Sequence, residues 1–142
     1  MEAIFGSLHL LGAIFIIGPM TIFPMTAMRA IRTGNTASAA TLTKSTNLFS
    51  WLSLIVALFG AALVSFVDPA DNLRFGTPWL AASIALYTVA VTLSLAVVVP
   101  ALRRATAGIG TDGKKSYGLV AASSGIVALL LAAVIVLMVW RP

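Results

Sequence analysis

The chain has 142 residues, 60% of them hydrophobic and 9% charged, with a formal net charge of +5. A soluble domain is about 45–50% apolar and roughly 25% charged, so this composition excludes an ordinary water-soluble globule and makes lipid the solvent for most of the surface. The basic residues sit in short clusters between apolar blocks, the pattern of membrane topology rather than of nucleic-acid binding, and the lack of cysteine excludes disulfides, thiolate nucleophiles, thiolate metal sites and palmitoylation.

Four apolar blocks run over residues 3–28, 48–67, 78–101 and 118–140. Each is near or above the ~20 residues that cross a hydrocarbon core. Backbone groups in lipid must bond within their own segment, so each block is expected to be a helix. The fold class is therefore an all-α membrane protein: one domain, 1–142, forming a four-helix antiparallel transmembrane bundle.

The first block starts with Glu2 and lacks an A-x-A cleavage site, so it does not resemble a secretory signal. His9, the one histidine, falls about six residues inside it. An ionisable group within a span is a functional candidate by default. Tyr87 stands about nine residues into the third block from the same side, so a structural His9–Tyr87 polar pair is expected. The stretch "GPMTIFPMTAMRAIR", residues 18–32, carries Pro19 and Pro24. Each proline removes a helical hydrogen bond, to the carbonyls of Phe15 and Met20 respectively. A kinked first helix is expected, with Thr21 and Thr26 as candidate donors and Met25 to Arg32 turned along the inner surface. Met20, Met25 and Met28 are soft enough for Cu(I). Successive residues turn about 100°, which leaves Met20 about 140° from Met25, so packing is the better reading.

The next segment, "TGNTASAATLTKSTN", reads as a Ser/Thr-rich connection whose "ASAATLTK" portion can extend the second helix. "DPADNLRFGTP" reads as a tight turn between the second and third helices. Stripes of mostly small residues recur at spacings of three and four: Ser50, Ser53, Ala57, Gly60 and Val64; Ser83, Tyr87, Ala90, Ser94 and Val97; Gly118, Ala121, Gly125, Ala128 and Ala132. Such faces let helices approach closely in lipid, and the last set is the expected helix-packing or partner surface.

The loop "GIGTDGKKS", residues 108–116, matches G-x-G-x-x-G at Gly108, Gly110 and Gly113. Nucleotide sites of that pattern need a preceding strand and a soluble helix after it, and here membrane helices flank the loop. No nucleotide is expected. Arg103, Arg104, Lys114 and Lys115 are instead expected to meet anionic lipid headgroups, at about 1 kcal/mol each near the surface.

The connections 29–47 and 102–117 carry seven Lys and Arg residues, against Arg74 and Arg141 on the other side. The positive-inside rule then predicts both termini outside and both basic connections in the cytoplasm.

The segments "LHLLGAIFIIG", "PWLAASIALY" and "VVVPALRR" resemble a group of bacterial four-span predicted integral membrane proteins of unknown function, and the alanine- and valine-rich style is similar to actinobacterial inner-membrane proteins. The first segment also resembles copper-resistance D-type proteins, some of whose relatives carry haem. Those usually have more spans and more histidines. That resemblance implies a haem- or copper-associated role through His9 as the alternative function, beside a small transporter.

No carboxylate pair, His–acid pair or nucleophile–base pair is apparent, so catalysis is not expected, and neither is a resident cofactor or metal. The expected function is that of a small accessory or stabilising subunit of a larger bacterial inner-membrane complex, such as a multisubunit envelope lipid transporter of mammalian-cell-entry type. Its expected partners are membrane lipids and other integral membrane subunits, not nucleic acid.

Overall fold

The computed structural model describes residues 1–66, 74–108 and 114–142. Among the described residues the chain is all-helical, and four helices are long and apolar enough to cross a membrane: Glu2–Arg32, Thr36–Phe66, Pro78–Ala107 and Tyr117–Trp140. The first consists of α1 (Glu2–Gly12), a π turn over Ala13–Ile17 and α2 (Gly18–Arg32). The second is α3 (Thr36–Phe66). The third consists of α4 (Pro78–Leu93), a π turn over Ser94–Val98 and α5 (Val99–Ala107), and the fourth lies in α6 (Lys114–Trp140).

The first inner connection is shorter than its composition suggests. Only Thr33, Gly34 and Asn35 separate α2 from α3. Gly34 has φ +74, a conformation open to glycine at little cost. Its N–H reaches the Ile31 carbonyl at 3.2 Å, and the Asn35 N–H reaches Ala30 at 2.9 Å, closing the end of α2. The Asn35 side-chain oxygen then accepts the Ser38 N–H at 3.1 Å and caps α3. The "ASAATLTK" stretch is helical, as its propensity indicated. The 31-residue α3 is about 46 Å long at 1.5 Å per residue, against a hydrocarbon core of about 30 Å. Its polar first turns supply the surplus.

Two of the prolines within spans follow a π turn. The Gly18 N–H bonds Ala13 O, and the Val99 N–H bonds Ser94 O, each five residues back. Pro19 and Pro100 follow at the next position. A proline ring clashes with the carbonyl four residues earlier, and the wider turn just before it relieves that crowding. The first helix runs continuously through Pro19 by that turn, and through Pro24 inside α2 without one, to Arg32. Thr21 and Thr26 do not reach the carbonyls of Phe15 and Met20. They donate to Gly18 O at 2.7 Å and Ile22 O at 3.2 Å, within range of a short side chain. Nor does the end of this helix turn out along a surface: Met20, Pro24, Ala27 and Ala30 are buried in the bundle.

The chain forms two antiparallel hairpins. In the first, α1 and α2 pack on α3, with Phe5 stacked on Phe66 at 5.1 Å and Phe23 edge-on to Phe49 at 5.1 Å. In the second, α4 and α5 pack on α6. The hairpins join where α2, α5 and α6 meet, around Met20, Ala27, Val98, Ala101, Leu102, Val120 and Val127. α1 contributes no buried residue and packs chiefly on α3.

Two of the three expected small-residue faces point inward. Ser50 and Ser53 on α3, and Ser83, Ala90 and Ser94 on the third span, are buried. On α6 the buried face is Val120, Ser123, Ser124, Val127 and Leu131. Gly118, Ala121 and Ala132 are exposed, and Gly125 and Ala128 half-buried. The interior at α6 lies where three other helical segments converge, and valine and leucine fill that wider space better than glycine and alanine do.

Candidate functional site

Three polar features interrupt this apolar bundle. The first is a set of hydroxyl pairs joining α3 to the third span. Ser50 Oγ lies 2.7 Å from Ser94 Oγ, Ser53 Oγ 2.9 Å from Tyr87 Oη, and Thr43 Oγ1 3.5 Å from Thr106 Oγ1. Ser50, Ser53 and Thr43 each donate their one proton to a carbonyl of their own helix: Thr46 O, Ser50 O and Ala39 O. Ser94, Tyr87 and Thr106 must therefore be the donors across the interface. Among the described residues no buried side-chain polar atom lacks a partner.

The second feature is His9. Its Nδ1 lies 2.8 Å from the carbonyl of Val56 on α3. A carbonyl only accepts, so Nδ1 carries the proton. The approach depends on Gly60, where a Cβ would stand 2.8 Å from His9 Cε1 and 3.0 Å from Nδ1. One turn further along the same contact the roles reverse: a Cβ on Gly12 would stand 2.8 Å from Val56 Cγ2. The expected His9–Tyr87 pair is not formed. Each ring bonds α3 instead, His9 at Val56 and Tyr87 at Ser53, because α3 stands between the two hairpins' outer arms. His9 Nε2 has no hydrogen-bond partner among the described residues and is not sealed inside the chain.

The third feature is a cleft of about 540 Å³ between the end of α2 and the start of α6, lined by Met25, Met28, Arg29, Arg32, Thr33 and Tyr117. Thr33 donates to the carbonyls of Arg29 and Ala30 at 3.2 and 3.1 Å and stays with its own helix. Arg103 and Arg104 lie elsewhere, exposed on α5. Lys114 and Lys115 open α6, and their side chains lie outside the described residues, as do Gly110 and Gly113 of the glycine-rich loop.

Among the described residues no group of three or more His, Cys, Asp or Glu could hold a metal ion. Sequence reasoning singled out His9 and the serine faces but missed who bonds to whom. It also missed the cleft, although Met25, Met28, Arg29 and Arg32 stand at helical positions i, i+3, i+4 and i+7, one continuous stripe.

Four helices long and apolar enough to cross a membrane, among the described residues, make the class that of an integral membrane protein. Residues 4–142 match the family described as Predicted integral membrane protein (DUF2269), and the chain belongs to that family. No curated protein and no solved structure matches it.

Proposed function

We propose that this integral membrane protein is a non-catalytic accessory or stabilising subunit of a larger assembly in a bacterial inner membrane. The observation that carries the reading is His9. Its Nε2 is an unpartnered acceptor about 10 Å along a spanning helix, on a segment that buries none of its residues within the chain. A polar atom at that depth is costly against lipid alone, and a donor on a neighbouring subunit satisfies it. The outward small residues of α6 give a second surface of close approach, since a Cβ at Gly118 or Gly125 meets nothing within 4 Å. A multisubunit envelope lipid transporter of mammalian-cell-entry type is the assembly to test first.

A second reading rests on the same imidazole. With Nδ1 held by a carbonyl, Nε2 is presented as a metal ligand would be, and two copies of the chain would supply two such nitrogens to a haem iron. Purification from the native membrane in mild detergent separates the two. The subunit reading expects a stoichiometric companion that is lost in His9→Leu, with no visible absorption. A Soret band that disappears in His9→Leu would establish the haem reading. Recovery of the wild-type chain alone, colourless and monomeric, would defeat both.

A further inference from the structure

We propose that the cleft between α2 and α6 binds the phosphate of an anionic membrane phospholipid, with the lipid's acyl chain lying along Met25 and Met28. A helix C-terminus favours cations whatever the ligand, so the arginines alone do not identify an occupant. The order of the walls does. Met25, Met28, Arg29 and Arg32 form one stripe on α2, apolar toward the middle of the span and basic at its end. The stripe covers about 10 Å along the axis, which spans the boundary between acyl chains and headgroups. A free anion needs only the basic end; a phospholipid uses both.

The arginines are available for this role. Both are exposed, and neither guanidinium has a hydrogen-bond or ion-pair partner among the described residues. Of the four acids, Glu2 opens α1 at the far end of the same helix, and Asp68, Asp71 and Asp112 lie outside the described residues. Arg29 and Arg32 are one turn apart and can grip a phosphodiester from one side with forked N–H donors. Tyr117 closes the opposite wall from α6, presenting an amphipathic ring of the kind that sits at headgroup level. The volume of about 540 Å³ is in the range of small-molecule clefts. Arg103 and Arg104 do not line this cleft, which makes them the comparison pair.

Native mass spectrometry of the full chain, released from detergent with equal amounts of phosphatidylglycerol and phosphatidylcholine of matched acyl chains, tests this. The wild-type chain is expected to retain phosphatidylglycerol preferentially. Arg29→Gln/Arg32→Gln should weaken that preference by about 10- to 30-fold, from two cations near an anionic group. Arg29→Lys/Arg32→Lys should keep most of it, and Arg103→Gln/Arg104→Gln, which removes two cations from the exposed face of α5 and not from the cleft, should cost clearly less than Arg29→Gln/Arg32→Gln. Met25→Trp, which fills the cleft at an exposed position and leaves every charge in place, should also weaken it, and carries the test should the double glutamine variant fail to fold. No preference in the wild-type chain, an equal loss in Arg103→Gln/Arg104→Gln, or unchanged binding in Met25→Trp would each overturn the proposal. So would displacement of the lipid by millimolar inorganic phosphate, which would reassign the cleft to a free anion.

Discussion

Gly12, Gly60 and Gly125 share a residue type on spanning helices and differ in what faces them. A methyl group at Gly12 would stand 2.8 Å from a methyl of Val56, a stiff β-branched side chain, and one at Gly60 would stand 2.8 Å from the His9 ring. Overpacking of this kind costs about 1–3 kcal/mol, so Gly12→Ala and Gly60→Ala should each lower the thermal unfolding midpoint of the protein in detergent. Gly60→Ala should in addition push His9 off the Val56 carbonyl. At Gly125 no atom lies within 4 Å of the added methyl, and replacing a helical glycine by alanine gains roughly 0.5–1 kcal/mol. Gly125→Ala should leave stability unchanged or raise it, whereas Gly125→Leu should spare insertion and weaken association with a partner helix. An unchanged midpoint in Gly12→Ala would mean that α1 moves aside freely. The sequence placed Gly60 and Gly125 on small-residue faces and did not single out Gly12; it could not rank them, because the difference lies in residues about 50 positions away along the chain.

Between elements, hydroxyl pairs fix how α3 sits on the third span. Interhelical hydrogen bonds of this type in membranes average about 0.6 kcal/mol and reach ~1.7 kcal/mol. A double-mutant cycle on Ser50→Ala and Ser94→Ala should give a coupling energy in that range, since the two oxygens are 2.7 Å apart. Ser50→Ala paired with Ser83→Ala should give none, because Ser83 donates to Trp79 O on its own helix. The turn between α2 and α3 is a second element-level test. Asn35→Ala removes the cap on Ser38 N–H and should cost about 1 kcal/mol; Gly34→Ala, at φ +74, should cost roughly 1–2 kcal/mol. Element identity was legible from apolar length alone, since hydrocarbon permits few other backbone solutions. Boundaries were less so. A Ser/Thr-rich composition reads as loop, yet the first turns of α3 pack Ala39, Thr43 and Thr46 into the bundle and stay helical. The π turns before Pro19 and Pro100 left no composition signal beyond the prolines themselves. Pairing of His9 with Tyr87 was inferred from their lying a few residues apart in depth from the same side, a criterion that ignores which helix stands between them.

At the scale of the whole molecule, the two hairpins bring the basic connections to one end. Thr43, near the start of α3, meets Thr106, near the end of α5, while Arg29 and Arg32 at the end of α2 share a cleft with Tyr117 at the start of α6. Glu2 and Arg141 fall at the opposite ends of α1 and α6. The fold thus separates the ends but carries no mark of which compartment each faces. Charge supplies the direction: Arg29, Arg32, Lys44, Arg103 and Arg104 lie on one side among the described residues, against Arg74 and Arg141 on the other. Lysine and arginine near span ends resist transfer out of the cytoplasm, so the clustered end is expected inside and both termini outside. The chain has no native cysteine, so single-cysteine variants report position without background. Ser38→Cys, exposed in the first turn of α3, should react with a membrane-impermeant maleimide only after the cells are opened, whereas Glu2→Cys and Pro142→Cys should react on intact cells. The reverse pattern would invert the topology, place the arginine cleft in the outer leaflet and contradict the charge rule for this chain. Labelling of Ser38→Cys on both sides would instead indicate dual insertion, with the seven-to-two excess of basic residues too weak to decide between orientations.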